Sequence, residues 1–199
     1  MQLHFGENGP VGPVGTLEEV ARRVGECHRC GLRAGCRAPV FGEGNPRAGL
    51  MFVGEGPGAT EDELGRPFVG AAGQLLDRIL AAAGIRREEV YITNVVRCRP
   101  PGNRAPAPEE MKTCLPYLTE MIRIIQPSLL VCLGATAAQG LLDPNARITR
   151  LRGQWVERFG VRIMPTYHPA ALLRDPSKKR DVWQDIQRVR DEYRKLVSA

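Results

Sequence analysis

Cys27-His28-Arg29-Cys30 sets two thiols close together, and Cys98 and Cys114 follow with fifteen residues between them. Two thiolates from the end of one element and two from a distant loop can close a tetrahedral site for zinc or an iron–sulfur cluster. The plain alternative is four reduced, buried thiols. Cys132 lies in the apolar run Leu129-Leu130-Val131-Cys132-Leu133 and reads as a core thiol. Cys36 is a fifth candidate ligand or a bystander.

A second group surrounds the stretch G-E-G-P-G-A-T-E-D-E-L-G-R-P-F-V-G from Gly54 to Gly70. Its glycines allow close approach of backbone to a ligand, and successive N–H groups can cradle an anion. The Gly-Lys-Ser/Thr ending of a Walker loop is absent. Glu55, Glu61, Asp62 and Glu63 can hold a metal or position water; taken singly, each also reads as a solvated loop acid. Asn94 closes the apolar stretch Val90-Tyr91-Ile92-Thr93. Its amide can form a turn, or read a base edge through paired donor and acceptor atoms. His168, in Tyr167-His168-Pro169, is structural or catalytic on the same footing.

These groups need a scaffold. Leu50–Val53, Val90–Thr93 and Leu129–Leu133 read as strands, and Gln154–Arg158 and Arg162–Pro165 as two more around Phe159-Gly160. Helices are predicted from Thr16-Leu17-Glu18-Glu19, a capping-box pattern, to about Cys27, and from Ala71 to Ala83, stopped by Gly84. Others run over Glu109–Ile125 with a bend at Pro116, after Gly134 to Leu142, and over Arg180–Val197. The last helix spaces Trp183, Ile186, Val189, Tyr193 and Leu196 for one face. The Gly54 loop is predicted to stay non-helical to about Val69. Strands alternating with helices predict an α/β fold: three layers, α/β/α, with a small, mainly parallel, four-stranded central sheet. Ligands on such sheets sit beyond the C-terminal strand ends. The Gly54 loop, Asn94 and His168 all fall there. Residues 1–15, rich in Gly and Pro, are expected to be a flexible segment, with one domain over 16–199.

The chain has 199 residues, 43% apolar and 25% charged, which suits a folded domain with a real core. No apolar run is long enough for a membrane span. Met1-Gln2-Leu3-His4-Phe5-Gly6 does not resemble a signal peptide, so a cytoplasmic location is expected. The net charge of +6 is unevenly placed. Residues 145–180 hold nine Lys/Arg against two acids, +7, and the rest of the chain is close to neutral. A basic segment of this kind suits a polyanion such as nucleic acid, or is a solvated surface.

Three ordered motifs carry a resemblance: G-E-G-P-G-x-x-E-D-E-x-G-R-P-F-V-G-x-A-G-Q-L-L, Y-I-T-N-V-V-R-C-R-P-P-x-N-R-A-P and H-P-A-A-L-L-R. With the four cysteines, the chain resembles the family 4 uracil-DNA glycosylases, the thermostable type with an iron–sulfur cluster, over roughly Cys27 to Tyr193. The resemblance implies a repair enzyme that flips uracil out of single- or double-stranded DNA and hydrolyses its N-glycosidic bond. It implies a structural [4Fe–4S] cluster on Cys27, Cys30, Cys98 and Cys114. Phe68 matches the aromatic that stacks on uracil, Asn94 the amide that reads it, and His168 the histidine at the O2 side of the leaving base. Gly56 and Gly58 give the flipped base room. Leu172, with Arg174 beside it, matches the apolar wedge that fills the gap in the duplex. Members of the wider superfamily place an acid or amide where Gly56 stands, so the acting carboxylate is expected to be Glu55 or, second, Glu61. Glu61 has an alternative role in crowding out thymine's methyl. The resemblance favours a monomer, acting on DNA in the cytoplasm and nucleoid.

Two rival readings remain. A covalent uracil-DNA binder of the same superfamily carries a Lys-Arg-Arg-Ile-His insertion, whereas the matching loop here, Arg99 to Pro106, has no histidine. An iron–sulfur electron-transfer or regulatory module would leave Phe68, Asn94 and His168 without a shared purpose.

Overall fold

The computed structural model describes residues 15–158 and 160–197. The expectation of a flexible N-terminal segment therefore falls almost wholly outside the described residues.

The chain enters through α1 (Leu17–Gly25). Its capping box forms as expected: Thr16 Oγ1 accepts from the Glu19 N–H, and Glu19 Oε2 accepts from the Thr16 N–H. A short helix α2 (Leu32–Gly35) and a two-residue strand β1 (Glu43–Gly44) precede β2 (Leu50–Gly54). Then come α3 (Ala59–Leu64), α4 (Ala71–Ala83), β3 (Tyr91–Asn94) and α5 (Pro108–Ile125). The chain continues through β4 (Leu129–Leu133), α6 (Ala135–Leu141), α7 (Ile148–Leu151), β5 (Val156–Arg158) and β6 (Val161–Thr166). It ends with α8 (Pro169–Arg174) and α9 (Lys179–Val197).

The sheet has six strands in the order β1-β3-β2-β4-β6-β5. The inner four, β3-β2-β4-β6, are parallel, and β1 and β5 add antiparallel edges. The expected four strands are thus the parallel core alone. β1 carries no sequence signal because two residues cannot show a period, and β5 pairs only along one edge. β2 and β4 are apolar throughout and fully buried, the pattern of strands covered on both faces. One face packs Met51, Val53, Leu130 and Cys132 against α1, α5 and α6. The other packs Leu50, Phe52, Leu129 and Val131 against α4, α8 and α9. That is the three-layer arrangement expected.

Two local expectations change. The segment after Gly54 is not loop to Val69: Ala59–Leu64 is helical, started at Gly58, where Glu61 supplies the N-terminal cap, and stopped by left-handed Gly65. On α9, Ile186 and Val189 are buried together with Val182, while Leu196 is exposed. Among the described residues, no helix is long and apolar enough to cross a membrane.

Strand order reverses around β2, with β3 on one side and β4 on the other. The crevice at this reversal, beyond the C-terminal strand ends, is where such sheets bind ligands. Gly54 lies level with Asn94, and Leu133 with Thr166, two residues before His168.

Candidate active site

Phe68 is buried and holds a left-handed backbone with φ of 53°. A bulky residue there costs about 1–3 kcal/mol and persists only when its surroundings over-determine it. Here they do so from two sides. Arg87 donates to the Pro67 carbonyl at 2.6 Å and the Phe68 carbonyl at 3.1 Å. Its guanidinium is itself held by Asp77 at 2.7 Å and Glu43 at 2.8 Å. From the other side, Glu61 Oε1 accepts from the Val69 and Gly70 N–H groups at 2.9 and 2.8 Å. Gly73 lets α4 press onto this turn, since a Cβ there would fall 1.9 Å from the Phe68 carbonyl oxygen. The result is a fixed aromatic plate at the mouth of the crevice.

Asn94 stands across from it, only 2% exposed. Its Oδ1 is a buried acceptor with no partner. Such an atom is costly unless a ligand satisfies it. Gly54 makes this arrangement possible: a Cβ there would lie 2.4 Å from the Phe68 ring and 2.5 Å from Asn94 Oδ1. The plate and the amide therefore pack directly over a bare backbone.

His168 caps α8, its Nδ1 accepting from the Ala170 N–H at 3.1 Å. A nitrogen that accepts carries no proton, so in the neutral ring the hydrogen is on Nε2. Burial pushes the His168 pKa down to about 4; Arg174 lowers it further and Glu61 opposes weakly. The group is thus a neutral donor at physiological pH. Its ring lies 5.5 Å from that of Phe68, tilted by 32°. Phe68 thus adjoins His168 and, over Gly54, Asn94, bringing together three residues distant in sequence.

The two candidate carboxylates separate clearly. Glu55 follows β2 directly into the crevice, and one of its oxygens accepts from the hydroxyl of Thr136 on α6. Glu61 is committed to backbone: besides Val69 and Gly70, its Oε2 accepts from the Gly58 N–H at 3.1 Å. Its geometry is that of a brace. Gly56 gives space to Val96, whose side chain a Cβ there would meet at 2.8 Å, and Gly58 gives space to Glu61.

Leu172, expected as the wedge, is 2% exposed and packs in the core on the α4 and α9 side of the sheet. Leu173, the next residue, is 48% exposed. A helix turns successive residues by about 100°, so one of these neighbours is buried and the next exposed, which a motif match does not reveal. Arg174 is exposed on the same short helix.

The basic segment is partly spent within the fold. Arg152 binds Asp185 at 2.6 Å, Arg162 pairs with Glu192 and stacks 4.7 Å from the Trp155 ring, and Lys178 pairs with Asp175. Arg147, Arg150, Arg174, Lys179 and Arg180 remain exposed without an ion pair among the described residues.

On the opposite side of β3, Cys27, Cys30, Cys98 and Cys114 line one cavity with Arg97, Arg29, Arg33 and Tyr117. Among the described residues, no three Cys, His, Asp or Glu side chains close on a single ion. Burial pushes the Cys98 and Cys114 thiols up; at Cys98 the largest further contribution comes from Cys36, and Cys30 and Cys114 add to it. Four thiolates so placed repel one another unless a cation stands among them.

Several residues of this site carry no sequence signal. Arg87 lies in Arg86-Arg87-Glu88-Glu89, a run that reads as surface charge. Thr136 reads as an ordinary helix residue. Both matter only through contacts across the fold.

Comparison with known proteins agrees with this geometry. The model of the uracil DNA glycosylase superfamily matches residues 41–187. The chain is 46% identical to a type-4 uracil-DNA glycosylase of Thermotoga maritima, over 90% of this chain and 95% of the relative. It is 44% identical to one of Archaeoglobus fulgidus, over 87% and 92%, and 42% identical to one of Pyrobaculum aerophilum, over 85% and 91%. With the matched region spanning both the Phe68–Asn94–His168 crevice and the sheet that builds it, the chain belongs to the uracil DNA glycosylase superfamily.

Proposed function

We infer that this protein excises uracil from DNA by hydrolysing the N-glycosidic bond, leaving an abasic site. The observation that supports this most directly is the unpartnered, buried Asn94 Oδ1 set beside the Phe68 plate. Uracil presents an N3–H donor flanked by two carbonyls. Asn94 accepts from N3–H and donates from its amide nitrogen to O4, a pairing that cytosine cannot satisfy.

The target base must leave the stack, at about a few kcal/mol. Exposed Arg147, Arg150, Arg174, Lys179 and Arg180 grip flanking phosphates, and Leu173 rather than Leu172 fills the vacated step. The flipped uracil stacks on Phe68. As the C1′–N1 bond breaks, its electron pair passes to the base, and negative charge grows on O2. The His168 Nε2–H donates to that oxygen, an interaction strongest in the transition state. The sugar gains cation character, which the Glu55 carboxylate stabilises. Glu55 also takes the proton of the water whose oxygen bonds to C1′. Thr136 fixes its orientation.

The donor set suits a [4Fe–4S] cluster: four thiols from three segments, the turn after α1, the loop after β3 and helix α5, line one cavity. When bound to Cys27, Cys30, Cys98 and Cys114, the cluster would cross-link the turn after α1 to the loop after β3 and to α5. It would take no part in bond cleavage. The protein acts as a monomer on single- or double-stranded uracil-DNA, in the cytoplasm and nucleoid.

The test is incubation with end-labelled single-stranded DNA carrying one uracil, read with and without alkali. Multiple-turnover scission after alkali, without an SDS-resistant shift, is expected. A stoichiometric SDS-resistant shift without scission would mean covalent capture, and neither signal from protein with iron and sulfide intact would overturn the reading.

A further inference from the structure

Arg97 is the largest fully buried side chain among the described residues, 1% exposed. Its Nε has no hydrogen-bond partner. No carboxylate pairs with it among the described residues. Its terminal nitrogens reach only neutral atoms. Nη1 donates to the carbonyls of Asn94 and, at 3.2 Å, Val95, and Nη2 donates to Met121 Sδ at 3.1 Å. A guanidinium does not deprotonate in a protein, and a buried charge without a counter-charge is strongly destabilising. The fold must therefore bring negative charge to it from somewhere.

One candidate adjoins it. Arg97 lines the same cavity as Cys27, Cys30, Cys98 and Cys114. A cationic cluster held by four thiolates carries net negative charge. We propose that Arg97 is the internal counter-ion of the cysteine-bound cluster, and that through it the filled cage positions Asn94. This rests on the cluster reading above. The physical path is short. Arg97 holds the Asn94 and Val95 carbonyls, while the Val95 and Val96 N–H groups bond to the Gly54 and Glu55 carbonyls at 2.9 and 3.1 Å. One guanidinium thus ties the cage to the backbone of the base-reading amide and of the crevice carboxylate. Filling the cage compensates the charge where it stands. Emptying it strands the charge, and the cheapest relief is for Arg97 to swing toward water, releasing both carbonyls.

Arg97 is a positioning residue, and its signature is electrostatic. The test compares wild type, Arg97→Met and Arg97→Lys, each purified without oxygen and assayed for iron and sulfide. Removing a positive charge beside the cluster disfavours its reduced form. Voltammetry is therefore expected to show a more negative cluster potential in Arg97→Met, restored in Arg97→Lys. Cluster removal is expected to lower the melting temperature of wild type more than that of Arg97→Met, because only the wild type strands a charge. An unchanged potential with equal melting losses would overturn the proposal while leaving the cluster in place. Absence of iron and sulfide from folded wild type would instead remove the cluster reading, and the proposal with it. Should Arg97→Met fail to fold, wild type decides alone: Val95 and Val96 amide exchange accelerating on cluster removal supports the proposal, and unchanged exchange overturns it.

Discussion

The base crevice and the cysteine cage lie on either side of β3 and are built on opposite principles. In the crevice, most side chains are fixed by bonds within the polypeptide. Phe68 is held in a left-handed turn by Arg87 and Glu61, and His168 has its tautomer set by the Ala170 N–H. Asn94 Oδ1 is left without a partner, and this is the atom proposed above to accept from the base. The cage is not complete. Burial disfavours ionisation of Cys98 and Cys114, and buried Arg97 has no carboxylate partner among the described residues. Pre-organised sites hold their dipoles in place before substrate arrives. In the reading proposed above, the cage balances its charges by holding the cluster. The difference predicts that damage to the crevice removes chemistry while leaving the fold, and that damage to the cage removes the fold's local order first.

The largest effect should come from His168→Ala. Losing one donor to a developing oxyanion lowers kcat by about 100- to 1000-fold. Affinity for uracil-DNA should change only a few-fold, as read by single-turnover kinetics beside a binding isotherm. Equal losses in both would place His168 in the scaffold instead.

Next, Leu172→Ala and Leu173→Ala separate core from wedge. Truncating buried Leu172 should destabilise the protein by about 2–5 kcal/mol in a denaturant titration. Truncating Leu173 should leave stability nearly unchanged and slow excision from duplex more than from single strands. The reverse pattern would return the wedge to Leu172.

The two carboxylates divide likewise. Glu55→Gln should reduce kcat with little change in melting temperature. Glu61→Gln should weaken charge-assisted bonds to three N–H groups and lower stability by about 1.5–3 kcal/mol. A stable Glu61→Gln protein with lost kcat would make Glu61 the acting acid.

A further contrast lies in pH. The His168 pKa falls from 6.5 to about 4 on folding, so the unfolded chain binds the proton more readily. The resulting stability is fully present above pH 6.5 and is lost as pH falls toward 4. His168→Gln should flatten the melting-temperature slope across that window; an unaltered slope would mean the imidazole is not buried neutral.

How much was legible in the sequence differs between the two regions. The continuous apolar strands and the Gly84 stop are local signals, and they appear where expected. The convergence of the Gly54 loop, Asn94 and His168 followed from one rule about parallel sheets. The helix Ala59–Leu64 was hidden because Gly58 supplies no side-chain cap of its own; the capping oxygen comes from Glu61. β1 was too short to show a period.

The sequence by itself determined the layering, the parallel strands and the placement of the Gly54 loop, Asn94 and His168 at C-terminal strand ends, because periodicity, turn residues and strand ends are properties of neighbouring residues. Tertiary structure alone decided that Glu61 braces backbone N–H groups while Glu55 meets the Thr136 hydroxyl, that Leu173 and not Leu172 is exposed, and that Arg97 lies buried beside the cage. Each depends on where a side chain points once distant segments meet. A carboxylate surrounded by N–H groups and one bonded to a single hydroxyl are the same letter in the chain, and only packing distinguishes them.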